Sequence, residues 1–344
     1  MKNIAILDCT LRDGGLGLED AYKNHVSDDC FTLTEMDEMI QELEASKLDI
    51  IELGSIEISN EDKRRFAIYQ NVEDISKKIP KYRTDDQMYV GLFRGPDTPV
   101  QDIPKWNPSL VDGLRVIIRY SELRKSMEFC AALAQKGYKV FVQPMLTMRY
   151  ADEEIEYILT ESNRMGAYAV YFVDSYGYMQ NKDVEMFARK YDAALNSNIA
   201  LGFHAHNNIN LAFSNVLSFV RLGLARNMIV DSCVTGMGQG AGNLQTELIV
   251  PYLMKNYGAE YNFSAVLNLC EHIEKHMISN PWGYSVTRML PAIYKTAYKY
   301  AATFRTKYRM SYSEMNQMFV KMPDEYRHRF TPELAEEVIR IVQK

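Results

Sequence analysis

Several chemistries are marked by features this sequence lacks. Its five cysteines, Cys9, Cys30, Cys130, Cys233 and Cys270, are odd in number and show no C-x-x-C spacing. That argues against a disulfide framework and fits buried thiols in a reducing cytosol. No apolar run approaches the roughly 18 residues a membrane span requires. Basic residues are not in excess: the net charge of −6 offers no face for a nucleic acid. No G-x-S-x-G and no Cys/His arrangement suggests a hydrolase nucleophile, and no G-K-[ST] follows a glycine loop, so there is no Walker site. The opening MKNIAILD turns acidic at once, unlike a secretory signal. These absences lead us to expect a soluble, cytoplasmic protein.

What is present is apolar and periodic. Hydrophobic residues make up 47% of the 344-residue chain, enough for a well-filled core. Eight short apolar runs recur, at 3–8, 48–53, 88–93, 113–119, 138–145, 168–174, 199–206 and 228–234. Most are followed by helical spacing, as in 33–46, with Thr34 as N-cap, and in 122–135, 153–165 and 183–195. Residues 59–86 are polar and read as exposed loop and helix. Eight strand–helix alternations predict a (β/α)₈ barrel, with a doubly wound sheet as the alternative. From Phe263 the pattern is helical throughout, with stretches at 266–277 and 284–300. We therefore expect a barrel domain over 1–262 and a helical domain over 263–344, resting on or over the barrel mouth.

The barrel reading places functional residues just past strand C-termini. Arg12, Asp13, Arg94, Asp174, Ser175, His204, His206 and the loop from Gly236 to Asn243 all stand there. His204 and His206 are two apart on one strand, so both imidazoles face one point and can clamp a divalent metal. Asp13, in a loop expected over Thr10–Gly17, is the candidate third ligand. Two imidazoles and a carboxylate leave positions open on Mn²⁺ or Mg²⁺, with Zn²⁺ also compatible, and a chelating 2-oxo acid would fill two of them. Arg12 would add fixed positive charge where an enolate develops. The run Gly236-Met237-Gly238-Gln239-Gly240-Ala241 formally meets the dinucleotide fingerprint, but it lies late in the chain rather than in the first βα unit.

Three segments together resemble one group of enzymes: Thr10-Leu11-Arg12-Asp13-Gly14, His204-Ala205-His206-Asn207-Asn208, and Gly236 through Asn243. They are similar to the signatures of the DRE-TIM metallolyases, and within that superfamily to the 4-hydroxy-2-oxovalerate aldolases. The resemblance implies a Mn²⁺-type site with Asp13, His204 and His206 as ligands and Asn243 as a further one. It implies that Arg12 stabilises a pyruvate enolate, that Ser175 lines the pyruvate site, and that a tyrosine of the helical domain, matched to Tyr294, enters the active site. It also implies 2-oxo acid and aldehyde substrates, and an aldehyde dehydrogenase partner that receives the product. One position departs from the pattern: the aldolases carry a base histidine three residues after the metal aspartate, and Leu16 stands there. Leucine cannot move a proton. His25, Glu19 and Tyr22 are nearby in sequence as replacements. The cysteine loop of the acyl-CoA lyases is absent as well. The alternatives are a Claisen-type acyl-CoA enzyme of the same superfamily and a partner-bound homologue that has lost turnover. Assembly into a homo-oligomer is left open.

Overall fold

The computed structural model describes residues 3–81 and 86–342. Eight parallel strands form its centre: Ile4–Asp8, Ile50–Ile56, Met88–Phe93, Gly113–Ile118, Lys139–Pro144, Ala169–Asp174, Ala200–Ala205 and Met228–Ser232. Each pairs with the next, and the first pairs with both the second and the eighth, in register from Ile4 opposite Met228 to Asp8 opposite Ser232. A strand paired on both sides closes the sheet into a barrel and removes the doubly wound alternative. A two-residue strand, Ile68–Tyr69, adds beside the second.

Alternate residues of each strand face opposite sides of the wall. One set, including Ile6, Ile51, Leu114, Val142, Phe172, Phe203 and Val230, joins the large apolar layer under the helices. The other set lies inside. It is apolar in part, with Leu7, Ile50, Val90, Phe141, Tyr171, Ala200 and Ile229. The remaining inward positions include fully buried charged side chains, Glu52, Arg115 and Asp231.

Several local expectations are corrected. Residues 10–17 are not a loop but the start of a helix, Thr10–Lys23. Its glycines suggested a turn, yet they serve close packing: a side chain at Gly15 would strike the Phe66 carbonyl, and Gly17 lies against the backbone of Gly238. The helix Leu33–Ser46 is capped by Thr32, not Thr34, in a reciprocal box with Glu35. The polar stretch 59–86 hides a buried apolar strip, Phe66, Ala67, Ile68, Tyr69, Val72 and Ile75. Residues 82–85 of that stretch lie outside the described residues.

After the barrel, the helix Phe263–Glu274 packs along Leu33–Ser46, and its Val266, Leu269 and Ile273 enter the main apolar layer. Farther on, Leu290, Tyr300, Phe304, Met315, Phe319, Ala335 and Val338 gather around a separate small core. The helix expected over 284–300 is broken. It runs Val286–Ile293, then Lys295 turns through a left-handed conformation (φ 52°) before Lys299–Thr306. That turn decides which tyrosine reaches the barrel. No helix among the described residues is long and apolar enough to cross a membrane.

Candidate metal centre at the barrel mouth

His204 is the next-to-last residue of the seventh barrel strand and His206 follows its end, their rings 4.9 Å apart between centroids. Each has its Nδ1 engaged. His204 Nδ1 faces the Asp231 carboxylate at 2.9 Å, and His206 Nδ1 faces the Asp174 carbonyl at 2.8 Å. Both partners can only accept, so both nitrogens donate, and each Nε2 keeps its lone pair. A carboxylate or carbonyl behind a ligating imidazole is the usual way a metal site fixes the tautomer and aims the ring. Burial also holds both imidazoles neutral: it lowers the His204 pKa, and with the neighbouring His204 it pushes His206 down to about 3. Neutral imidazole is the form that binds a metal.

Asp13 sits in the first turn of the helix Thr10–Lys23, across the mouth from the two histidines. Its Oδ2 is 3.6 Å from His204 Nε2 and accepts from Asn243 Nδ2 at 3.2 Å. Its Oδ1 is paired with the guanidinium of Arg12. Asn243 is brought in by the glycine loop, which bridges its backbone to His206. Gly242 turns there at φ +76°, and a side chain on it would collide with the Gly236 carbonyl. The Asn243 Oδ1 is buried without a hydrogen-bond partner. A buried, unpaired acceptor on a residue that also touches the Asp13 carboxylate suits a cation. Among the described residues, the acidic, thiol and imidazole ligand atoms that lie within 4.8 Å of one another are those of Cys9, Asp13 and His204, and His206 stands outside that cluster. The Cys9 thiol stands 3.4 Å from that of Cys233, and burial, reinforced by Cys233, pushes its pKa well up, which favours a protonated, weakly ligating sulfur.

The site continues inward as a ring of contacts. Arg12 Nε donates to Glu52 Oε2 at 2.7 Å, and Arg115 Nη1 donates to the same oxygen at 2.8 Å. Arg115 Nη2 pairs with Asp231 Oδ2, the oxygen that holds His204, and His204 leads back to Asp13. Gln143 turns its amide oxygen to Arg115. Three carboxylates, two guanidiniums and a neutral imidazole leave this ring with one negative charge. A divalent cation would reverse that sign, and a singly charged acid bound there would bring the total to zero.

A cavity of about 280 Å³ opens above the ring, lined by Arg12, Asp13, Leu16, Ser175, His204 and His206 among others. Ser175 Oγ accepts from the Leu146 amide at 2.7 Å, so its hydroxyl proton is available to a ligand. Tyr294 is not brought to this cavity. Its hydroxyl donates to Asn316 at 2.6 Å and its ring stacks on Phe319, inside the helical region. Tyr298, beyond the break at Lys295, lines the cavity instead, with its hydroxyl on Asp20 at 2.7 Å. Tyr176 and His328 line it too. Reading the sequence missed Glu52, Arg115, Asp231, Tyr298 and His328. The first three carried a signal, a lone charge at an inward position of an apolar run.

Known proteins resemble this chain in sequence and in fold. Residues 116–273 match the model of the HMGL-like family. A 4-hydroxy-2-oxovalerate aldolase from Carboxydothermus hydrogenoformans is 28% identical over 289 residues, covering 81% of this chain and 80% of that one. Among solved structures, the N-terminal domain of a Bacteroides vulgatus protein superposes with a TM-score of 0.75 at 24% identity, over 90% of this chain and 98% of that one. The carboxyl transferase domain of Rhizobium etli pyruvate carboxylase superposes at 0.64 and 13% identity, spanning 100% of this chain and 61% of the other. These two show the fold, and the second extends it through the helical region.

Proposed function

The chain is a distant relative of the HMGL-like family, and from that premise we propose that it is a divalent-metal-dependent lyase of the aldolase type. It would form or cleave a carbon–carbon bond beside the enolate of a pyruvate-like 2-oxo acid. The observation that carries this reading is the closed ring of charge at the barrel mouth, in which the His204 imidazole faces the Asp13 carboxylate beside Asn243, whose Oδ1 is buried without a partner.

Asp13, His204 and His206 would hold the ion, with Asn243 as a fourth donor. Oxygen and nitrogen ligands of this mix suit Mn²⁺ first, with Mg²⁺ or Zn²⁺ as substitutes. The ion would supply Lewis acidity to the 2-oxo acid. The remaining work falls to side chains. Arg12 is clamped from both sides, by Asp13 and by Glu52, and among the described residues its Nη2 has no recorded bond. A guanidinium fixed in this way can meet charge as it develops on the enolate oxygen without having to reorganise. The Ser175 hydroxyl would donate to the acid's carboxylate. The cavity suits a small acid, since pockets for drug-sized ligands run from about 300 to 1,000 Å³.

The test is a screen of aldehydes with pyruvate and Mn²⁺, following pyruvate loss against an Asp13→Ala control. Metal-dependent consumption with any aldehyde supports the reading, and the preferred chain length narrows the substrate. No consumption by metal-loaded protein across the panel would overturn it.

A further inference from the structure

Cleaving a 4-hydroxy-2-oxo acid requires a base that takes the hydroxyl proton, and the cavity wall identifies one. Its titratable side chains outside the candidate ligands are Arg12, Tyr176, Tyr298 and His328. Arg12 is a permanent cation. Burial pushes both tyrosines well above the ordinary phenol range, and Tyr298 is further held by Asp20. That leaves His328. It follows the short helix Asp324–Arg327 in the small C-terminal core, far in sequence from the barrel strands.

Its placement is fixed rather than incidental. Arg327, the residue before it, donates to the carbonyls of Tyr294, Phe319 and Met322, and its own carbonyl accepts from the Ala297 amide at 2.9 Å. This staple holds the His328 segment beside the turn that delivers Tyr298. On the barrel side, His328 Nδ1 lies 2.7 Å from the Tyr176 hydroxyl. His328 also lines a wider groove of about 1440 Å³ that adjoins the cavity, a route for a proton to solvent.

We propose that His328 is the general base and acid of the cleavage, serving from the C-terminal region in a cavity where Leu16 cannot. The role rests on the aldolase reading above. The role takes the tautomer in which Nδ1–H donates to the Tyr176 oxygen, which leaves the Nε2 lone pair for the substrate. Nε2 takes the C4 hydroxyl proton, the C4 oxygen becomes the aldehyde carbonyl, and the C3–C4 bond breaks. Its electron pair passes to C3 and the C2 oxygen as the enolate. The imidazolium then returns its proton to C3, giving the 2-oxo acid with no net proton uptake. The groups around the ring are Tyr176, Tyr178 and Arg149 from the barrel, and Lys295, Asp324 and Arg327 from the helical region. Burial first, then Arg149, lowers the imidazole pKa below its ordinary value, so the base form predominates at neutral pH.

The experiment compares wild type with His328→Gln, both saturated with Mn²⁺. The expected result is at least a 100-fold loss of kcat, with calorimetric Mn²⁺ affinity unchanged and the acid limb of the kcat/KM profile gone. Adding Leu16→His to that variant should restore part of the turnover, because it puts an imidazole back on the same wall. Turnover within threefold of wild type, or a loss that leaves the acid limb in place, overturns the role of His328 alone. Absence of cleavage in the wild type overturns the aldolase reading and this role with it.

Discussion

Ile51 and Glu52 are adjacent on the second barrel strand and both fully buried, yet they face opposite sides of the wall. Ile51 joins an apolar layer whose members are held by area alone, where a neighbour can shift to cover a lost methyl group. Glu52 holds two guanidiniums with one oxygen, a directional bridge that a shifted methyl group cannot replace. The outer face of the wall maintains the fold. The inner face pays for a charged site with desolvated ions, and each ion depends on the next.

The contrast is sharpest when the two residues are changed in parallel. Glu52→Ala removes the oxygen shared by Arg12 and Arg115, leaving each with one carboxylate, Asp13 or Asp231, and should cost about 3–5 kcal/mol of unfolding free energy. Ile51→Val, one atom layer away, should cost about 0.5–1.5 kcal/mol. Urea titration of both variants measures this. Equal losses would mean the ring contributes no more than ordinary packing. A smaller effect is expected from Asp231→Asn, which keeps the shape behind His204 but not the charge. Mn²⁺ affinity by calorimetry should fall about 10–100-fold with the fold retained. An unchanged affinity would remove His204 from the ligand set.

The third and smallest test contrasts the ring with a buried ion cluster on the barrel's outside. His276 lies between Asp29 (2.8 Å) and Glu35 (2.9 Å), tying the chain beyond Glu274 to the cap of the helix Leu33–Ser46. Burial works against its charge, but Glu35 and Asp29 outweigh it and raise its pKa. Its contribution is therefore complete below the unfolded value of about 6.5 and fades as pH rises through the folded one. Glu35 is opposed by burial yet pulled down to about 2 by His276 and Lys275, so its share is complete above the unfolded value of about 4.3 and is lost as pH falls below it through about 2. His276→Gln should then lower the melting temperature more at pH 6 than at pH 8.5. An equal loss at both would mean the histidine acts only through packing.

The outer face is the part the sequence makes legible. Eight apolar runs locate eight strands because residues such as Ile51, Leu114 and Val230 sit between sheet and helices, where hydrophobicity is the requirement. His204, His206 and Asp13 could be singled out because paired imidazoles at a strand end are chemically conspicuous. Glu52, Arg115 and Asp231 escape such a reading, since a single charge in a strand gives no hint of its partners on distant strands. Thr10–Gly17 misleads for a related reason. Its glycines satisfy neighbours from elsewhere in the chain, not local backbone needs. The choice of Tyr298 over Tyr294 depends on one left-handed residue, Lys295, which no periodicity announces.

The turn at Lys295 and the staple at Arg327 also impose a schedule. On a ribosome the barrel can close once Met228–Ser232 emerges to pair with Ile4–Asp8, while the segments carrying Tyr298 and His328 are still unmade. A growing chain thus passes through a stage at which the candidate ligands are all present and the wall above them is missing. The cavity acquires its wall of Tyr298 and His328 only after every barrel strand has been made.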